Sequence, residues 1–547
     1  MPDDPRIEAE GAGERAMRNT AARAAGEIVG KLASLVLFAV LAREVGTSGL
    51  GAFVFALAWA AMSVEPVGLG VDRYLLRRIA KERTALGTYL FNALALKLSR
   101  SLPLIAASLV AINLLDYGSE TRRAVYVLTL ALLLESVTRT LVSVFNAFER
   151  GGLIATAIVV QRISTAALGI AALAAGGGVV AVCVAYLVGV TLRLGLALRQ
   201  LRRHIGLPPM TFPREGRAEL RSRSAPFAVQ DVFQLVLGKV DVVILSLMAS
   251  DSVVGIYGAA YRLLEATGFL TTSMVGAFSA QYTYLGPDTR PTVRGVFQRS
   301  LKLSLSVLVP CAVTFAVLAT PLCRLFFGAE FEDAADPLRI LAPVVVLYGL
   351  VVLSTSLIVS RRSPMAIVPT IGAVAALNVA LNLVLIPEYE DTGAATAMLL
   401  AEIAFAAVAV TVAVRTVQGV DWPQMLGAPL VAGAAMALAM LPLDGFPALA
   451  LVAGAAAYVI VFVAVERRVS PADLEFAKGV AARLLTRAGR GSGRARAPGA
   501  PVPEAAAKAA DGAHEGGPEP AAHEGASVVP GEDGVRLAGD GEREPSQ

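Results

Sequence analysis

Long apolar runs recur along most of the chain, from about residue 24 to residue 466, and short polar segments separate them. Two examples are VLTLALLLESVTRTLVSVF (residues 127–145) and LVAGAAAYVIVFVAV (residues 451–465). Runs of roughly 20 apolar residues can cross a ~30 Å hydrocarbon layer as α-helices, and the alternating strands of a membrane β-barrel are absent. The pattern therefore predicts an all-α polytopic membrane protein with about 14 transmembrane helices.

An internal repeat divides these spans into two groups. The segment GLGAFVFALAW (49–59) aligns with VVGIYGAAYRL (253–263), and LKLS occurs at both 96–99 and 301–304. The shift of about 204 residues is that of a duplicated six-helix unit whose two copies enter the membrane in the same direction, and such parallel repeats place a substrate site between the halves. We predict two six-helix lobes that form a V, at residues 24–199 and 225–414, and two further helices at residues 415–466.

Charge in the loops predicts how the chain is oriented. Roughly 20 Lys and Arg residues fall in one alternate set of loops and about 5 in the other. This asymmetry places both termini in the cytoplasm of a multi-pass protein of the cell (plasma or inner) membrane. The cytoplasmic segments are then residues 1–23, 200–224 and 467–547, and the low-complexity sequence from about residue 489 is expected to be disordered.

Composition excludes several other classes of protein. Of the 547 residues, 55% are hydrophobic, and the mean hydropathy is +0.63, which no ordinary soluble domain shows. The three cysteines lie in or beside apolar runs and the three histidines are scattered, so we expect no catalytic residue, no metal site and no cofactor beyond a coupling ion. The basic linker is expected to contact anionic lipid, and no nucleic-acid partner is predicted.

Four segments resemble the polysaccharide-exporter branch of the multidrug/oligosaccharidyl-lipid/polysaccharide (MOP) flippase superfamily. They are LAREVGTSGLGAFVFALA (41–58), DVVILS followed by VGIYGAAYRLLE (241–265), LFFGAEFEDAADPLRILAP (325–343) and ALNVALNLVLIPEYEDTGAATAMLLAEI (376–403). One departure is PEYEDTGAA, where the family usually has a glycine soon after the proline. The resemblance implies alternating access that moves a lipid-linked sugar across the bilayer, with membrane lipids, a glycan polymerase or glycosyltransferases as partners.

Ionisable groups inside the spans are candidates for a binding cavity, because each costs about 2.5 to 3.5 kcal/mol near the bilayer centre. Lys97 and Arg100 are like charges on one helix face without an acid nearby in sequence, so a substrate phosphate would stabilise them, although snorkelling or a partner on another helix would also do so. Other charged residues are spaced to pair along one helix, as Glu135 and Arg139 are. The candidate phosphate and cavity residues are Lys97, Arg100, Arg262, Lys31, Arg139, Glu27 and Glu65.

A second candidate site concerns a coupling ion, Na+ or H+. Asp231 and Asp241 lie on one polar stripe of the seventh span, and Asn378 and Asn382 share a face of the eleventh. Some members of the family place a cation among helices seven, eleven and twelve. By resemblance, Asp241, Asn378, Asn382 and Thr396 could supply the oxygen ligands, with Asp231 nearby; hydrogen bonding between helices is the alternative.

The leading functional hypothesis is a flippase for a polyprenyl-(pyro)phosphate-linked oligosaccharide, used in export of cell-surface polysaccharide or glycan. The alternative within transport is a multidrug or cation antiporter of the same superfamily, which an acidic, aromatic-lined pocket would favour. A membrane enzyme such as a sugar polymerase would need a sizeable domain outside the membrane, and the longest internal loop has only about 23 residues.

Overall fold

The computed structural model describes residues 5–68, 70–207, 214–284, 290–362, 364–443 and 445–471. Every regular element within these ranges is helical, which confirms the predicted all-α fold. The predicted disordered tail lies outside the described residues. The longer helices, in chain order, are α1 (Pro5–Gly68), α2 (Val71–Lys81), α3 (Leu86–Leu114), α4 (Ser119–Ala147), α5 (Gly151–Ala174), α6 (Val179–His204), α7 (Arg214–Met248), α8 (Asp251–Tyr284), α9 (Arg290–Val317), α10 (Ala319–Phe327), α11 (Ala335–Arg361), α12 (Val368–Val417), α13 (Trp422–Met440) and α14 (Pro447–Val469).

Two helices are much longer than a bilayer is thick, and each contains a sharp kink. Helix α1 has 64 residues and breaks its helical geometry at Gly46 (φ 68°), while α12 has 50 residues and does so at Glu390 (φ 47°). At 1.5 Å per residue, each is long enough for two membrane passes. The positive φ of Glu390 lies in the left-handed region, which glycine accommodates more easily than a residue with a side chain.

Nine helical segments among the described residues are long and apolar enough to cross a membrane. This finding supports an integral membrane protein, and the total of about 14 spans stays a prediction. In the first half of the chain α1, α4, α5 and α6 pack together, and in the second half α7, α8, α9, α11 and α12 do so. Helices α13 and α14 pack on each other and against α9. The exact bounds of the predicted lobes remain predictions.

The two bundles cross closely where α1 meets α8, near Gly51 and Asp251. We call this end of the molecule the acidic end. A Cβ atom on Gly51 would lie 1.8 Å from the carbonyl oxygen of Asp251, and one on Gly255 would lie 2.0 Å from that of Thr47. The contact is reciprocal, because each residue and its counterpart are separated by about 204 residues, the shift of the internal repeat. Small residues let two helix backbones approach this closely, so the repeat supplies a symmetric crossing between the halves.

At the opposite end, which we call the basic end, the short helix α2 joins the first bundle to α7. Asp231 of α7 forms an ion pair with Arg73 at 2.7 Å and accepts a hydrogen bond of 3.1 Å from the backbone N–H of Gly70. Gly70 has a φ of 76°, and a Cβ atom there would lie 2.3 Å from the carbonyl oxygen of Ser224. A glycine is therefore required for the two elements to meet.

A second contact at the basic end involves Glu219, in the first turns of α7. Its carboxylate accepts hydrogen bonds from the hydroxyl groups of Tyr74, at 2.5 Å, and Tyr89. These bonds lower the pKa of Glu219 below its ordinary value, and burial, aided by the bond to Glu219, raises the pKa of Tyr74 to about 12. The two bundles are thus in polar contact at the basic end and in backbone contact at the acidic end.

Candidate functional site

A cavity of about 230 Å³ lies between the two bundles, bounded by α1, α5, α6, α7 and α8. Four residues of α8 line it at positions i, i+3, i+4 and i+7, which share one helix face: Gly258, Tyr261, Arg262 and Glu265. Most of the remaining wall is apolar and comes from both segments of α1. The internal repeat therefore encloses a chamber at the interface that it was predicted to form.

Three cations and one carboxylate belong to the cavity wall: Arg162, Lys239, Arg262 and Glu265. Glu265 forms ion pairs with Arg262 at 2.9 Å and with Lys239 at 3.6 Å. The guanidinium of Arg262 also lies 5.1 Å from the ring centroid of Phe38, and the ammonium of Lys239 lies 5.6 Å from that of Tyr261. Since one carboxylate faces three cations, the cavity has a net positive charge.

Arg262 is the one predicted phosphate candidate among the described residues that line this cavity. Lys31 is its neighbour: its ammonium lies 5.7 Å from the ring centroid of Phe269 and interacts electrostatically with Glu265. Glu27, which lies four residues before Lys31 on α1, interacts electrostatically with that ammonium. Lys31 therefore adds a further positive charge on the side of α1.

Lys97 and Arg100 are not among the described residues that line the cavity. Lys97 is 2% exposed and forms an ion pair of 2.7 Å with Asp72, while its ammonium also donates to the carbonyl oxygen of Ser136 at 3.1 Å. The acid that pairs with Lys97 comes from another helix, which was one of the alternatives left open by the sequence, because α2 folds back and brings Asp72 against α3. Arg100 is half-buried and faces the like charge of Arg221 at the basic end.

The expected pair between Glu135 and Arg139 along α4 is replaced by pairs between helices. Arg139 binds Glu65 at 3.0 Å, and Glu135 accepts a hydrogen bond from Tyr186 at 2.7 Å and lies 3.6 Å from Arg193. Packing of α4 against α1 and α6 offers each charge a partner on another helix, which a spacing of four residues cannot reveal. Glu65 and Arg139 therefore neutralise each other outside the described cavity wall.

The predicted cation ligands fall into separate contacts. Asp241 is 1% exposed and accepts hydrogen bonds from the hydroxyl of Tyr257 at 2.5 Å and from the N–H of Val242 at 2.8 Å. Asn378 and Asn382 are fully buried and bond to each other at 3.1 Å, and each keeps one amide atom without a partner in the described structure. Of these two atoms only Oδ1 of Asn382 could coordinate a cation, since the unused atom of Asn378 is the amide nitrogen Nδ2, a donor. A metal-holding group of His, Cys, Asp or Glu is absent from the described residues.

The two other members of the predicted cation set lie in different surroundings. Thr396 donates to the carbonyl oxygen of Thr392 at 2.7 Å, which is the usual bond of a threonine inside a helix. Asp231 binds Arg73 at the basic end, as described above, and so belongs to the contact between α2 and α7. Sharing a stripe on α7 does not bring Asp231 to Asp241, because ten residues of helix rise separate them by about 15 Å.

Three functional candidates were not among the predicted site residues. Lys239 of α7 and Arg162 of α5 both line the cavity. Glu402 of α12 is 6% exposed, and its Oε2 atom has no hydrogen-bond partner in the described structure. Its electrostatic neighbours include Tyr261 of α8 and Tyr348 of α11. A lone acid in the apolar segment AMLLAEIAFAA was the signal that could have identified Glu402.

Two helical bundles with a charged chamber between them, built from helices that can cross a membrane, define a polytopic membrane protein. The fold is similar to that of lipid II flippase MurJ in an inward closed conformation, with a TM-score of 0.64, 14% identity, and coverage of 82% of this chain and 99% of the other. It is also similar to an inward-facing MATE family multidrug resistance transporter of the MOP superfamily, with a TM-score of 0.54, 15% identity, and coverage of 71% and 94%.

Sequence comparison agrees with the fold. A family model described as polysaccharide biosynthesis protein matches residues 16–278. The probable low-salt glycan biosynthesis flippase Agl15 of Haloferax volcanii is 25% identical over 364 residues, which cover 65% of this chain and 74% of that protein. These matches agree with the resemblance to the MOP flippase superfamily that was drawn from the motifs.

Proposed function

We propose that this protein moves a polyprenyl-(pyro)phosphate-linked oligosaccharide across the cell membrane by alternating access. The observation that carries the proposal is the net positive chamber between the bundles, where Arg162, Lys239 and Arg262 face a single carboxylate. Guanidinium and ammonium groups are strong partners for phosphate oxygens in a site shielded from water. The names of the matched family and of the Haloferax relative support a glycan-linked substrate.

In this mechanism Glu265 binds the cations of the chamber when no substrate phosphate is bound. It pairs with both Arg262 and Lys239, so an entering phosphate would take over these cations and leave Glu265 to Lys31, which it already meets electrostatically. The exchange keeps Arg262 and Lys239 paired with an anion during the cycle. The polyprenyl chain stays among lipids, since the chamber is far too small to contain it.

The contacts at the two ends would open alternately. We assign the basic end, with α2 and Glu219, to the cytoplasm, because most Lys and Arg residues of the loops lie there, and this also places both termini in the cytoplasm. The crossing of Gly51 with Gly255 then closes the outer side. A glycan polymerase or glycosyltransferases of the same pathway are the partners that such a flippase would serve.

Two buried acids are proposed for energy coupling, and they imply different ions. Glu402 lacks an ion pair among the described residues, and a buried unpaired carboxylate is costly unless it carries a proton. Asp241, with Asn378, Asn382 and Thr396, would instead be the ligand set for Na+. The isolation of Glu402 and its closeness to Tyr261, a cavity residue, favour H+.

The test compares Arg262→Gln with Arg339→Gln, a matched control because Arg339 also pairs with an acid three residues away, Asp336, at 2.6 Å. Loss of a charge-assisted hydrogen bond costs about 1.5–3 kcal/mol, so Arg262→Gln should reduce glycan export about tenfold or more at equal protein level. Lipid-linked sugars should then accumulate on the inner leaflet, measured by mass spectrometry. Normal export in Arg262→Gln would contradict the phosphate assignment.

A multidrug or cation antiporter is the alternative. It would require a chamber with net negative charge to attract cationic drugs, and the cations of this wall outnumber its acid. An enzymatic role is not proposed, because transport accounts for the buried charges without a reaction.

A further inference from the structure

A second cationic pocket lies at the basic end of the second bundle, away from the central chamber. It has a volume of about 350 Å³ and is formed where α11 and α12 end beside the start of α9. Arg361 and Arg362 come from the end of α11, and Arg415 comes from the last turn of α12. The rest of the lining is Val293, Thr416, Val417 and Gln418, so we call this the arginine pocket.

Basic residues at a helix C-terminus are common, since they interact favourably with the helix dipole. That explanation accounts for each arginine singly but not for the convergence of three of them on one void. Among the described residues that line the arginine pocket there is no carboxylate, and Arg362 and Arg415 form no ion pair with another described residue. Like charges around one space repel one another, and an anion between them would remove that cost.

The void continues toward α13. A neighbouring pocket shares Val417 and Gln418 with the arginine pocket and adds Arg294 and Asp421. Asp421 is the one acid among the described residues of this extension. Its side chain is the N-cap of α13 and accepts a hydrogen bond from the N–H of Gln424 at 3.2 Å. The combined groove therefore keeps a large excess of positive charge, with amide groups beside it.

We propose that the arginine pocket binds a phosphate group, independently of the transported substrate. Planar guanidinium groups match phosphate oxygens in a bidentate manner, which a general basic surface does not. A phosphate at this depth has two sources: the diester headgroup of an anionic lipid in the adjacent leaflet, or free phosphate from the aqueous phase. Bound there, it would tie the ends of α11 and α12 together at the base of the second bundle.

The test measures thermal unfolding of the purified full-length protein in neutral detergent. Phosphatidylglycerol, phosphatidylcholine and inorganic phosphate are added separately, at ionic strength held constant. The variant is Arg362→Gln combined with Arg415→Gln. The control is Arg202→Gln combined with Arg203→Gln, which removes the same charge from exposed arginines in the last turn of α6, also at the basic end.

We expect phosphatidylglycerol to raise the unfolding temperature of the wild type and of the control, with at least fivefold weaker binding in the arginine-pocket variant. Stabilisation by inorganic phosphate with the same loss in the variant also supports the pocket, and it identifies the source as aqueous. Equal responses of variant and control to every addition would overturn the proposal, as would equal stabilisation of the wild type by phosphatidylcholine. Native mass spectrometry of lipid adducts provides a readout that does not depend on unfolding.

Discussion

The crossing of α1 and α8 makes a sharp prediction about Gly51. In Gly51→Ala the new methyl group would lie 1.8 Å from the carbonyl oxygen of Asp251, whereas ordinary contacts begin near 3.4 Å. The helices would have to part by roughly 1.5 Å, and overpacking of this kind costs about 1–3 kcal/mol. The state in which the acidic end is closed should therefore lose population by about 5- to 150-fold relative to the open state.

A disulfide reports this closure directly. Ser252 Oγ lies 2.7 Å from Thr47 Oγ1, so cysteines at these two positions should cross-link when the acidic end is closed. The measurement uses a background in which the three native cysteines are replaced, and it compares oxidation rates with and without Gly51→Ala. Gly238→Ala is the control, since a Cβ atom there meets nothing within 4 Å. An unchanged cross-linking rate in Gly51→Ala would show that the crossing does not govern closure.

Two further predictions concern buried charges. Lys97→Met should destabilise the protein by about 3–5 kcal/mol, because it leaves Asp72 without its buried partner. Adding Asp72→Asn should recover much of the loss in unfolding temperature. Additive losses in the double variant would argue against the pair. Glu402→Gln should preserve or raise stability, since it removes a buried carboxylate without a hydrogen-bond partner in the described structure. Transport by this variant in vesicles should nevertheless stop responding to a proton gradient. A response equal to that of the wild type would exclude Glu402 as the proton carrier.

Hydrophobic pattern alone determined the class of fold. Apolar runs of membrane-spanning length leave the backbone no alternative to helices, because lipid offers no hydrogen-bond partner. The repeat that aligns Gly51 with Gly255 also located the interface between the bundles, since equivalent positions of two parallel copies meet around their shared axis. Arg262 was a cavity candidate for a different reason, because it is an ionisable group inside an apolar span.

The partners of the charges were decided by tertiary structure. Spacing along one helix suggested that Glu135 pairs with Arg139, but charges in a bundle choose among all neighbouring helices, and Arg139 binds Glu65 on α1. Lys97 meets Asp72 only because α2 folds back against α3 and α4. Burial is a property of the assembled bundle as well, so the sequence showed Glu402 as one acid in an apolar run, while packing made it an enclosed carboxylate without a partner.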